Sequence, residues 1–86
     1  MSWDPITDEG NFMDADSWGE TNNGNPICTV HMGGDEFTVV IYRYQGTEKH
    51  GYVIFGGDDE KTWTKQRYNS IEEARAGAWL RLELMT

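Results

Sequence analysis

Apolar and polar residues alternate most regularly between Glu36 and Phe55, in EFTVVIYRYQGTEKHGYVIF. In an extended chain successive side chains point to opposite faces, so Phe37, Val39 and Ile41 fall on one face and Thr38, Val40, Tyr42 and Tyr44 on the other. The run is rich in β-branched and aromatic residues, which suit a pleated, half-buried surface. Gln45 to Gly51 interrupts it with polar residues and two glycines, and Tyr52-Val53-Ile54-Phe55 resumes it. The pattern predicts a β-hairpin, with Val39, Ile41, Val53 and Phe55 facing the core and Tyr42, Tyr44 and Tyr52 on an uncovered face. A lone hairpin is marginal in water, so other elements must cover its apolar side.

The flanking chain offers that cover. Ile27 to Met32 reads as a strand between the turn-forming stretch Thr21 to Pro26 and the Gly33-Gly34-Asp35 turn. Thr62 to Tyr68 alternates again and reads as a polar edge strand, whose Lys65 and Arg67 discourage pairing with other chains. From Ser70 onward the rhythm becomes helical. Ser70-Ile71-Glu72-Glu73 fits a capping box, and Ile71, Ala74, Ala78, Leu82 and Met85 form one stripe with Trp79 at its border. Leu80 and Leu84 lie on the opposite side of that helix, four residues apart. The expected fold is α+β: a four-stranded, mostly antiparallel meander in residues 26–86 with one C-terminal helix on one face, preceded by an acidic irregular arm in residues 1–25.

Composition sharpens the division between arm and body. The chain has 86 residues, enough for one domain, and a net charge of −8. Residues 1–25 carry six acids (Asp4, Asp8, Glu9, Asp14, Asp16 and Glu20) and neither Lys nor Arg, while the other 61 residues carry nine acids and seven bases. The acidity therefore belongs to the leading segment. Trp3, Phe12 and Trp18 also sit there, and aromatics of that size are expected to plug onto the core unless a partner takes them. With a single cysteine, no signal-peptide pattern at Met1 to Pro5 and no long apolar run, the expectation is a cytoplasmic protein without membrane contact.

Catalytic and metal chemistry finds little footing. Asp14, Asp16 and Gly19 match three positions of a calcium loop, but Trp18 and Asn25 stand where carboxylates are needed. Cys28 and His31, three apart in a strand, face opposite sides of the sheet and cannot close on one ion. Neither His31 nor His50 stands in a motif that would aim it at a nucleophile. The expectation is a non-enzyme without metal or cofactor.

Two binding surfaces remain. Lys61, Trp63, Lys65 and Arg67 share one side of the fourth strand, an arrangement that can follow a nucleic-acid backbone while the ring stacks. Across residues 36–85 the strand–strand–strand–helix order is similar to small domains that read DNA with a three-stranded sheet, such as plant AP2 domains and integrase arm-binding domains. Those sheets are strongly basic and this chain is acidic, so the likeness is one of layout. The acidic arm suggests the opposite partner. Carboxylates on a small folded body can imitate phosphates and occupy the basic surface of a nucleic-acid-binding protein. In size and acidity the chain resembles the small inhibitors that phages make against host defence or transcription, which would place it in a host cytoplasm. The favoured expectation is such a protein-binding inhibitor or regulator, docking through Asp4, Asp8, Glu9, Asp14, Asp16 and Glu20, with Trp18, Leu80 or Leu84 as apolar anchor. The alternatives are direct nucleic-acid binding through the fourth strand and a small oligomeric, homodimeric structural module.

Overall fold

A computed structural model describes residues 5–56, 61–64 and 66–85. The chain forms a single antiparallel meander of five strands, in spatial order β1-β2-β3-β4-β5, with one long helix on one face. The strands are β1 (Gly19–Glu20), β2 (Pro26–Met32), β3 (Asp35–Arg43), β4 (His50–Gly56) and β5 (Lys61–Trp63). The helices are a short α1 (Glu9–Phe12) and α2 (Ile71–Met85), with a 3₁₀ turn at Ala15–Ser17. The α+β class and the meander are as expected. The fifth strand is the two-residue β1, which pairs with Pro26 and Ile27 at the start of β2.

Register decides which side chains meet the helix. Phe37, Val39 and Ile41 of β3 stand opposite Gly56, Ile54 and Tyr52 of β4. The core is built from Phe37, Val39, Ile41, Tyr52 and Ile54, with Cys28 and Val30 of β2, under Ala74, Ala78, Trp79 and Leu82 of α2. The expected phase of β4 is therefore corrected. Ile54 and Tyr52 face the helix, whereas Val53 and Phe55 lie on the other face with Val40 and Thr38. Val53 is buried all the same, between its cross-strand partners Val40 and Trp63.

The helix start follows the capping logic with one variation. Ser70 Oγ accepts from the Glu73 N–H at 3.1 Å, and Glu73 Oε2 reaches back to the Asn69 N–H at 2.9 Å, one residue earlier than in the usual box. The stripe Ala74, Ala78 and Leu82 is fully buried, with Ile71 and Met85 half-buried at its ends. Leu80 and Leu84 point away.

The leading segment is structural. Ile6 pairs with Val30 in a parallel bridge, donating to Thr29 O and accepting from the His31 N–H, both at 2.8 Å. Phe12 is completely buried, its ring 5.1 Å from that of Trp18 and 5.0 Å from that of Trp79. Residues 5–20 thus close the β2 edge of the sheet and cover one flank of α2. Among the described residues no helix is long and apolar enough to cross a membrane.

Candidate functional site

The acidic residues are displayed from this anchored segment. Asp8 caps α1, its Oδ1 accepting from the Asn11 N–H at 3.2 Å, and Asp14 caps the 3₁₀ turn, accepting from the Asp16 N–H at 3.0 Å. Asp8, Glu9, Asp14, Asp16 and Glu20 are all exposed. Asp4 lies outside the described residues. The result is a set of exposed carboxylates on the segment that flanks the β1/β2 edge, with Asp8 and Asp14 themselves held by their capping bonds.

Trp18 is not among the exposed groups. It is 6% exposed, its Nε1–H donates to Phe12 O at 2.6 Å, and the Arg75 guanidinium lies 5.0 Å from its ring. Its expected role as a partner anchor is overturned, because the ring is spent on joining the leading segment to α2. Arg75, in the middle of α2, is buried, and nothing in the helical pattern signals it. A charge in a helix usually marks a solvated face; here stacking on an indole from a distant segment holds it inside. A cation–π contact of this kind contributes roughly 0.5–2 kcal/mol.

The sheet face turned away from α2 carries the second surface. Tyr42 and Tyr44 pack edge to face at 5.3 Å, and Tyr42 meets Trp63 the same way at 5.7 Å. Tyr42 reaches across β4 because its cross-strand partner is Gly51; a Cβ there would come within 2.9 Å of the Tyr42 ring and 2.6 Å of Thr64 Cγ2. Arg67 lies 4.5 Å above the Tyr44 ring, and Lys61 lies 5.8 Å from that of Phe55. Burial pushes the Tyr42 hydroxyl's pKa upward, reinforced by its hydrogen bond with Tyr44.

The expected fourth strand is shorter than its alternation implied. Pairing runs only from Lys61 to Trp63 and resumes as a single bridge between Tyr68 and His50. Between them Thr64 turns the chain, its Oγ1 donating to Gln66 O at 2.8 Å. The step from Val53–Trp63 to His50–Tyr68 adds two residues on the β5 side, so the side-chain phase survives. Lys61, Trp63 and Arg67 accordingly reach one face, as the alternation predicted. Lys65 lies outside the described residues. Tyr52, expected beside Tyr42 and Tyr44, is on the helix side instead.

Cys28 is buried on the helix side and His31 exposed on the other, where it faces Glu36 at 3.7 Å. Among the described residues no three His, Cys, Asp or Glu side chains group closely enough to hold a metal ion. Burial raises the Cys28 thiol from 9.0 to about 12, against a smaller opposing effect of the Arg75 charge. The unfolded thiol ionises first, so this group's stabilising contribution is complete below pH 9.0 and is lost as pH climbs towards about 12. A disulfide-exchange reagent applied just below pH 9.0 should therefore modify native Cys28 only as fast as the protein unfolds. Modification at the rate of a free cysteine would contradict this placement.

Exposed carboxylates thus crowd the leading segment, which carries no Lys or Arg, whereas elsewhere the exposed acids Asp35, Glu36, Glu48, Glu72, Glu73 and Glu83 are mixed with bases such as Lys61 and Arg67. Comparison with protein-family models, with curated proteins and with solved structures finds no match. The likeness to sheet-reading DNA-binding domains therefore rests on element order alone.

Proposed function

We propose that the chain is a non-enzymatic protein-binding module whose acidic edge docks on a basic, nucleic-acid-binding surface of a partner, as an inhibitor or regulator. The observation that supports this best is the mounting of Asp8, Glu9, Asp14, Asp16 and Glu20 on a segment pinned by Ile6, Phe12 and Trp18. Carboxylates on an ordered scaffold lose little conformational freedom on binding, and a one-sided negative field accelerates encounter with a basic surface. The combined variant Asp8→Asn, Glu9→Gln, Asp14→Asn, Asp16→Asn, Glu20→Gln removes five charges while asparagine preserves both caps. It should melt within a few degrees of the native chain and bind the captured partner at least about tenfold more weakly. Undiminished binding would rule the acidic edge out.

A second reading is favoured by one feature, the row Trp63, Tyr42 and Tyr44 with Arg67 and Lys61 on the uncovered sheet face. Aromatic rings beside cations form a stacking platform for single-stranded nucleic acid. That reading expects retention on immobilised DNA or RNA at low salt, lost with Arg67→Glu. Passage straight through the column at low salt would end it.

A further inference from the structure

The helix α2 carries a second apolar strip that the fold leaves uncovered. Leu80 and Leu84, one turn apart, are 63% and 80% exposed, and Trp63 across from them is 55% exposed. Isolated exposed apolar residues need no explanation, but these three line a single hollow of about 300 Å³ between α2 and the β5 edge. Its floor includes Tyr52 and Tyr68.

One charged group lines this hollow among the described residues, Arg81. Its Nε is buried and has no hydrogen-bond partner there. The side chain as a whole is only half-buried, so its positive charge is open to an acceptor brought by a ligand, which would form a charge-assisted pair with the guanidinium. We infer that the α2/β5 hollow docks a peptide segment of a partner protein in which an apolar side chain sits next to a carboxylate. The side chain enters between Leu80, Leu84 and Trp63, and the carboxylate meets the Arg81 guanidinium.

Other occupants fit less well. A second copy of this chain, packed through a two-fold contact, would set like surfaces face to face, and both copies carry −8. A nucleic acid could stack on Trp63, but the two leucines opposite offer no ring and a lone arginine is a small part of the positive groove that a phosphate backbone follows. The site lies at the opposite edge of the sheet from the carboxylates of the proposed function and stands independently of it.

The test is a displayed random-peptide library panned on the native protein, with the double variant Leu80→Gln, Leu84→Gln as subtractive background. Both leucines are exposed, so this variant should keep the native melting temperature. The expected enrichment is leucine, isoleucine or phenylalanine beside aspartate or glutamate. An enriched peptide, followed by fluorescence anisotropy, should bind about tenfold more weakly to Arg81→Glu and keep most of its affinity for Arg81→Lys. The five-fold acidic-edge variant should bind it at least as well as the native chain. The proposal is overturned by an apolar–basic consensus or by no enrichment above background. It is equally overturned if the leucine variant abolishes binding of an oligothymidine probe or dissociates a dimer seen in light scattering.

Discussion

Phe12→Ala is expected to destabilise the protein by about 3–5 kcal/mol, a large fraction of what a domain of this size holds. The ring is fully buried and touches both Trp18 and Trp79, so truncation empties a space bounded by indoles from two separate segments. Neither indole can collapse freely into it. Trp18 is held by its hydrogen bond to Phe12 O, and Trp79 by the packing of α2 on the sheet. The melting temperature should fall by more than about 10 °C. Urea denaturation followed by tryptophan fluorescence and by far-ultraviolet dichroism should give one coincident transition for the native chain. A loss below about 1 kcal/mol would mean that residues 5–20 are an appendage.

Ile54→Ala and Phe55→Ala should differ in a way that tests the register of β4. Ile54 is fully buried against the helix, opposite Val39, and its truncation should cost about 2–5 kcal/mol. Phe55 is only half-buried on the uncovered face beside Lys61, so the larger side chain should be the cheaper one to lose, at about 1 kcal/mol. The reverse order would return Phe55 to the core. Parallel urea titrations of the two variants decide between them.

That pair also shows where the sequence is legible and where it is not. The β3 side of the hairpin alternates cleanly, so Phe37, Val39 and Ile41 are read as core from the pattern alone. Tyr52-Val53-Ile54-Phe55 is apolar at all four positions and has no phase to read. One wrong phase accounts for three misplacements, Val53 and Phe55 towards the helix and Tyr52 away from it. The helix was legible because capping and stripe agree. β1 was not, since two residues are too few to show any period. Of the surfaces, the alternation Lys61, Trp63 and Arg67 could be read because the offset of two residues between the Val53–Trp63 and His50–Tyr68 pairings preserves parity. The burial of Trp18 and Arg75 could not, because each depends on the other across a long stretch of chain. The hollow at Leu80, Leu84 and Trp63 needed the three-dimensional meeting of α2 with β5.

On the proposed function the partner meets the acidic edge rather than the aromatic sheet face. Hydrogen–deuterium exchange on the complex recovered by capture from the native cell tests this most directly. New protection over residues 8–20, with residues 41–44 and 61–68 exchanging as in the free protein, is the predicted result. Protection of residues 41–44 and 61–68 with residues 8–20 unchanged would contradict it and give the sheet face the function.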